Sequence, residues 1–409
     1  MREIIIITEW YGHTIPYAKL IWPYFLNNGI KIYHITNRPE EARRYFESEL
    51  PQYSSNIDNI RLESVISPQK SNNRCNLAEI ESYWLGLGIT LRNLEQRLGR
   101  MPGIFHTWID LKSHPFLKSE VISDAIPGPC VGLCIHPVEY RIFKSWKRRL
   151  YEGIGNLWTY GQFKESRIRS LNISKLCSLY LLDEMVVPSV VRDLKPNIKV
   201  RVFPEPVDST INEVDIPRLR YLKKQGCRVL TVVGFLHKRK GILNLIRTAY
   251  KKPNKWAFLF AGPLDLESLN VTELQEVNEW LQNLPENCVG YLSSLEDSQV
   301  NSIIRQSDII YLAYEDFFHS SNIQIKASLF KKPIIAGPRH LISERTRKHR
   351  LGWCLDDHKP DTLLKLLNGL DEVAIKNKTY EADYKSLTAE HSIVRLNQCL
   401  AEITSELGI

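Results

Sequence analysis

Two segments carry residue types at spacings that could do chemistry. Gly234-Phe235-Leu236-His237-Lys238-Arg239-Lys240-Gly241 sets three consecutive cations in a glycine-bearing loop. The loop leaves an apolar run at 229–233 and enters a helical pattern at 242–250. Converging side-chain charges beside an approachable backbone suit a diphosphate. A solvated basic turn would have the same composition. The second segment is Tyr314-Glu315-Asp316-Phe317-Phe318-His319-Ser320-Ser321-Asn322-Ile323-Gln324-Ile325-Lys326-Ala327. It follows an apolar run at 309–313 and enters another helical pattern. Ser320, Ser321 and Asn322 are strong N-cap types. A helix start with free N–H groups and a positive dipole end attracts anions, although ordinary capping uses the same residues.

Three histidine positions also qualify. His106 lies within the apolar run 104–108, and His136 follows the run 130–135. His13 sits in the Gly12-His13-Thr14 loop after the first apolar run. A lone histidine is more often structural than reactive, so position at a strand end is what recommends them. The eight cysteines are scattered, with no Cys-x-x-Cys pair and no zinc-like Cys/His spacing. That pattern predicts reduced thiols and no structural metal. No Asp-x-Asp metal motif appears in a plausible loop, so no metal or cofactor is expected in the site.

The elements that must position these residues come from an alternating pattern. Ile4-Ile5-Ile6-Ile7 is a β-branched run without alternation, as a strand buried on both faces requires. A helix at 16–28 stopped by Gly29 and a strand at 31–36 complete a βαβ unit. A helix is expected over 76–99, with strands at 104–108, 130–135 and 179–187. Pro204 and Pro206 exclude a central strand and mark a domain boundary. The stretch 211–225 is charged and reads as a linker or short helix. A second series follows: strands at 229–234, 256–261, 288–292, 309–313 and 333–336, with helices at 242–250, 274–284, 300–306 and 322–330. The tail, 386–407, reads as one amphipathic helix. The pattern predicts an α/β protein with two Rossmann-like, doubly wound domains facing across a cleft. The expected division is 1–208, 209–380, and a terminal helix 381–409 returning to the first domain.

Composition bounds the rest. The 409 residues are 43% hydrophobic and 24% charged, which excludes a disordered tail or a fibre. Lys and Arg number 54 against 46 Asp and Glu, a net +8 that favours anionic partners. The apolar runs are too short for a signal-peptide core or a membrane span. A cytoplasmic protein is expected. Arg141, Lys144, Lys147, Arg148 and Arg149 interleave with Tyr140, Phe143, Trp146 and Tyr151. As a helix this segment could lie on an anionic membrane or be an ordinary solvated face. No nucleic-acid module is visible.

Taken in order, these motifs resemble the C-terminal donor domain of retaining GT-B glycosyltransferases, in particular the large family 4 group. The likeness runs over about 179–357 and is looser over 1–178. The Lys-Gly loop resembles the family's Gly-Arg-Leu-x-x-x-Lys-Gly loop. Val202-Phe203-Pro204-Glu205-Pro206-Val207-Asp208 resembles its interdomain segment. Gly290-Tyr291-Leu292 resembles its base-contacting strand end. Glu344 and Leu351-Gly352-Trp353 resemble its closing segment. The family's Glu-x7-Glu pair is missing: its positions fall on Phe318 and Lys326, and its neighbouring glycines on His319 and Ser321. A lysine only donates, so Lys326 cannot accept from ribose hydroxyls as that second Glu does. It could contact a phosphate, with Glu315 supplying the carboxylate. The family arginine falls on Phe235, with Arg239 displaced next to Lys240.

The resemblance implies transfer of a sugar from a nucleotide-diphosphate sugar to an acceptor hydroxyl, with retention and without metal. The acceptor would be a glycan, a lipid-linked or a small molecule. Arg239, Lys240 and His136 would serve the chemistry. Gly234, Lys238, Tyr291, Leu292, Glu315, His319, Ser320, Ser321, Asn322, Ile323 and Lys326 would bind the donor. Gly12, His13 and His106 would lie on the acceptor side. Three other readings remain: a GT-B-fold epimerase, a non-catalytic nucleotide-binding or scaffold protein that kept the fold, and a membrane-surface adaptor using the basic aromatic segment.

Overall fold

The computed structural model describes residues 2–10, 14–63, 77–135, 140–141, 167–253 and 255–409. The chain divides into two compact units. The first is Met1–Phe203 with Leu396–Ile409, and the second is Pro204–Arg395.

The first unit holds one parallel sheet. Its strands are β1 (Arg2–Ile7), β2 (Ile30–Thr36), β3 (Ile57–Arg61), β4 (Gly103–Thr107), β5 (Cys130–Cys134), β6 (Leu176–Leu181) and β7 (Lys199–Val202). Their order is β3-β2-β1-β4-β5-β6-β7. The isoleucine run behaves as its composition demands. Ile5 and Ile7 pack on one face with Trp84, Leu87 and Leu91. Ile4 and Ile6 pack on the other with Trp22, Phe25, Leu396 and Leu400. Burying one such side chain stabilises by about 1.5–3 kcal/mol, so both faces hold β1 central.

The second unit repeats the plan. Its strands are β8 (Arg228–Val233), β9 (Trp256–Ala261), β10 (Cys288–Tyr291), β11 (Ile309–Leu312), β12 (Ile334–Ala336) and β13 (Gly352–Cys354), in the order β10-β9-β8-β11-β12-β13. All pairings are parallel. The strand order reverses between β8 and β11. Loops leaving the carboxyl ends of those two strands therefore diverge from a topological switch point, where doubly wound sheets bind ligands.

Several expectations need correction. The strand expected at 179–187 stops at Leu181, because Asp183 accepts from the Met185 N–H and turns the chain into the helix Val187–Asp193. The helix Pro39–Glu49 and edge strand β3 were not expected; β3 reads Ile-Asp-Asn-Ile-Arg and is too polar to stand out. The tail is two helices. Tyr384–Glu390 packs Tyr384 and Leu387 into the second unit, and Ile393–Glu406 packs Leu396, Leu400 and Ile403 into the first. The second unit thus begins at Pro204 rather than 209 and runs to Arg395 rather than 380. One reason is that the Glu205 N–H donates to His391 Nδ1 at 3.1 Å, tying both ends of that unit together. Arg141 is no solvated or membrane-facing cation: it is buried, and its guanidinium makes two 2.6 Å hydrogen bonds to Asp183. The rest of that basic aromatic segment, 142–151, lies outside the described residues.

Candidate functional site

Both chemistry-bearing loops leave the switch point of the second sheet, and the structure joins them. After β8 the chain turns through Gly234, whose φ is +88°. A Cβ there would lie 2.9 Å from the Lys240 ammonium, so only glycine fits without displacing that side chain. The next turn, Lys238–Lys240, is fixed by His237, whose Nδ1 accepts from the Arg239 N–H at 3.1 Å. Gly241, at φ +71°, then starts the helix Ile242–Tyr250. A Cβ at Gly241 would meet the Tyr311 hydroxyl at 3.0 Å and the Ala313 carbonyl at 3.1 Å, so this loop lies directly on the end of β11.

The loop after β11 closes on the same place. The Glu315 N–H donates to the Arg239 carbonyl at 2.7 Å. The Arg239 guanidinium stands 5.3 Å from the centre of the Phe317 ring, and the Lys240 ammonium 5.6 Å from that of Tyr314. These are cation–π distances. The cluster therefore has cations beside aromatic faces instead of carboxylates. Among the described residues neither Arg239 nor Lys240 makes an ion pair, whereas Lys238 does, with Glu273 at 2.5 Å. Lys240 donates to the Val233 carbonyl at 2.7 Å. Burial, reinforced by the charge of Arg239, pulls its pKa down to about 7. An arriving anion would reverse that shift.

The helices that follow these two loops both start without side-chain caps. Ser321 occupies the N-cap position of the helix Asn322–Leu329, yet its side chain makes no capping hydrogen bond, and neither does Gly241 for its helix. Elsewhere in the unit, the helices Val271–Gln282 and Asp297–Gln306 carry complete capping boxes, while Pro217–Lys224, His340–Lys348 and Pro360–Gly369 also start without a side-chain cap. The Ser, Ser, Asn sequence thus does not spend its hydroxyl on capping Asn322–Leu329. Asn322 is exposed and Ile323 buried, which leaves the first turn open on one side. A helix N-terminus of this kind favours an anion by roughly 0.3–1 kcal/mol from its dipole alone.

The remaining expected donor residues have other partners. Tyr291 gives its carbonyl to the Gly262 N–H at 2.8 Å, and Leu292 is partly buried beside it. Glu315 has a raised pKa from burial, opposed by Lys238 and Arg247. His319 packs edge-on against Phe317, and Phe318 against His340. Ser320 accepts from the guanidinium of Arg345 at 2.5 Å. Lys326 departs most from expectation. Its side chain is 1% exposed, and its ammonium lies 3.0 Å from Asn301 Oδ1 and 3.4 Å from an Asp297 oxygen. Asn301 in turn donates to the Asp208 and Thr210 carbonyls. The ammonium is thus held by the helix Asp297–Gln306 and is not part of the Arg239–Lys240 cluster.

In the first unit His106 proves to be a core histidine. It is 2% exposed, with Nδ1 2.8 Å from the Thr107 carbonyl and Nε2 2.8 Å from the Tyr83 hydroxyl. A carbonyl only accepts, so Nδ1 carries the proton and Nε2 accepts from Tyr83. Burial lowers its pKa to about 4, so it is neutral near pH 7. It has no nitrogen left for an acceptor. Gly12, His13 and His136 lie outside the described residues. Among the described residues, no group of three or more His, Cys, Asp or Glu side chains could hold a metal ion, and no helix is long and apolar enough to cross a membrane. Sequence reasoning did not single out Arg345, which is buried and donates to Ser320: it stands in the basic stretch 345–350, where nothing marks one cation as buried.

No protein-family model matches this chain, and no curated protein matches it. Solved structures do. Sucrose-phosphate synthase from Thermosynechococcus elongatus covers 100% of this chain and 99% of its own, with a TM-score of 0.67 at 12% identity. HepE of Anabaena, in complex with UDP and glucose, covers 99% of this chain and 100% of its own, with a TM-score of 0.61 at 13% identity. A glycosyltransferase from Rickettsia africae covers 99% of this chain and 98% of its own, with a TM-score of 0.65 at 13% identity. At such identities the likeness is one of fold: two parallel-sheet α/β units of the GT-B type.

Proposed function

We propose that this protein is a glycosyltransferase whose second unit binds a nucleotide-diphosphate sugar at the β8–β11 switch point. The observation that carries the reading is the union of the Arg239–Lys240 turn with the 313–322 loop, where two cations lack carboxylate partners beside two uncapped helix starts. Departure of a diphosphate accumulates negative charge in the transition state. Cations and N–H groups already aimed at that place stabilise it without reorganising. Arg239, Lys240 and the amides of Ser321, Asn322 and Ile323 would do so here, which lets the reaction proceed without metal. His136 would hold the sugar, as the family 4 resemblance implies, and transfer would retain the anomeric configuration. The acceptor is a hydroxyl of a glycan, a lipid-linked or a small molecule. Because HepE was solved with UDP and glucose, a UDP-sugar is the first donor to try.

The test is a thermal-shift panel of UDP, GDP, ADP, TDP and CMP at millimolar concentration, followed by transfer assays with and without EDTA. A ligand at about 100 times its Kd adds roughly 2.7 kcal/mol, which raises the midpoint of a chain this long by about a degree or more. One responding diphosphate followed by acceptor-dependent transfer supports the reading. Binding without turnover points instead to the nucleotide-binding scaffold. No response from any nucleotide would sink the donor site. Loss of turnover in EDTA would contradict the metal-free mechanism.

A further inference from the structure

Tyr314 stands two residues beyond β11, next to Glu315, whose N–H joins this loop to Arg239. The Lys240 ammonium lies 5.6 Å from the centre of its ring, and Phe317 meets that ring edge-on at 5.2 Å. Tyr314 is 7% exposed, and its hydroxyl is buried without a hydrogen-bond partner among the described residues. An unpartnered buried hydroxyl costs free energy, so such a group calls for an explanation. The Ser321 hydroxyl is close enough to act on the phenol, yet the two form no hydrogen bond. Ser321 occupies the N-cap position of the helix Asn322–Leu329, is 7% exposed and makes no capping hydrogen bond. Two uncommitted hydroxyls therefore stand near each other at one helix start, beside the Arg239–Lys240 turn. Burial pushes the phenol pKa up, against the influence of Ser321 and the Arg239 charge, so the group keeps its proton near neutral pH.

We propose that Tyr314 is a positioning residue of the anion site that acts through Ser321: the phenol O–H donates to Ser321 Oγ while the Ser321 O–H donates to a phosphate oxygen of the diphosphate. A serine hydroxyl has one proton and two lone pairs. When an anion draws that proton toward itself, a lone pair is left to accept, and Tyr314 is the donor beside it. Two hydrogen bonds in series polarise each other, which strengthens the one to the ligand. The relay gives the Ser321 hydroxyl a task other than capping and the Tyr314 hydroxyl a partner. The inference rests on the diphosphate reading above and adds to it a residue that acts without touching the ligand. A merely structural hydroxyl would support stability and leave diphosphate affinity alone.

The experiment compares full-length wild type with Tyr314→Phe, Ser321→Ala and the double variant. Each is titrated with UDP, GDP, ADP and TDP and with the matching nucleosides, which have no phosphate, and its thermal midpoint is measured. Tyr314→Phe removes one hydroxyl and keeps the ring that Lys240 faces. It should weaken the bound diphosphate about threefold to tenfold, change nucleoside affinity less than about twofold, and leave the midpoint unchanged or higher. Ser321→Ala should weaken the diphosphate at least as much. The double variant should bind no more weakly than Ser321→Ala alone, because Tyr314 has no route to the ligand once Ser321 is gone. Unchanged diphosphate affinity in Tyr314→Phe overturns the proposal, as does a lowered midpoint with both ligands weakened equally. Losses that multiply in the double variant overturn the action through Ser321. If no diphosphate binds the wild type, the donor-site reading fails and the proposal with it, a pattern distinct from a wild type and a Tyr314→Phe variant that bind alike.

Discussion

The two sheets share a strand order about their switch points, yet the described residues near those points differ in how their charges are partnered. In the first unit, the ends of β1 and β4 surround Glu9, Tyr83, His106 and Lys112. Glu9 pairs with Lys112, and Tyr83 and Thr107 occupy both nitrogens of His106. Each of these groups already has its partner. In the second unit, Arg239 and Lys240 face the rings of Phe317 and Tyr314, and Lys240 is held at a depressed pKa. Similar backbones thus carry a polar cluster with its charges paired in one unit and, among the described residues, two cations without carboxylate partners in the other. A shared fold supplies the place; the side chains decide whether a ligand is wanted there.

The sharpest way to break this contrast is Lys240→Ala, which should weaken diphosphate binding about tenfold to a hundredfold by removing a charged donor. Isothermal titration checks it, and unchanged affinity would remove Lys240 from the site. The pH dependence follows with a defined sign. The folded pKa of Lys240, about 7, lies below its ordinary value of 10.5, so between those values the unfolded chain binds the extra proton. The contribution of this group to stability therefore rises with pH across that window. Diphosphate affinity should run the other way, falling by up to about tenfold per pH unit above 7 as the ammonium deprotonates. Titrations at pH 6.5, 7.5 and 8.5 would show it, and a flat profile in wild type would contradict it.

Next in size is Gly234→Ala, where a side chain at φ +88° would also press on Lys240. Chemical denaturation should show a loss of about 1–3 kcal/mol, with diphosphate binding weakened as well. In the first unit, Tyr83→Phe leaves His106 Nε2 without its donor and should cost about 1–3 kcal/mol of stability while leaving diphosphate affinity unchanged. A large change in that affinity would erase the distinction between the two switch points. The smallest effect is expected from Lys238→Ala. It removes a partly exposed pair with Glu273 and should change stability by no more than about 1 kcal/mol and diphosphate affinity less than about twofold. A tenfold loss would mean that all three cations act on the ligand.

Much of the fold is legible because it is local. Four isoleucines in a row require two buried faces, and the run 256–261 and the helix 242–250 show their limits in apolar period and flanking residues. The glycine-bearing loop and the Ser-Ser-Asn helix start are legible for the same reason: conformational freedom and capping chemistry belong to residues next to each other in the chain. What local pattern could not settle was partnership. Lys238, Arg239 and Lys240 are adjacent and alike in sequence, yet Glu273 takes only the first. Lys326 reads as a cation for a phosphate until the helix Asp297–Gln306 brings Asn301 and Asp297 to it. Arg141 reads as a solvated or membrane-facing charge until Asp183 meets it inside. The sequence by itself determined most of where the chain extends, turns and coils, since those choices are made largely among neighbouring residues. Only the tertiary structure decided which charges have carboxylate partners and which do not, because parallel strand order brings together residues tens of positions apart, and electrostatics acts on distance in space.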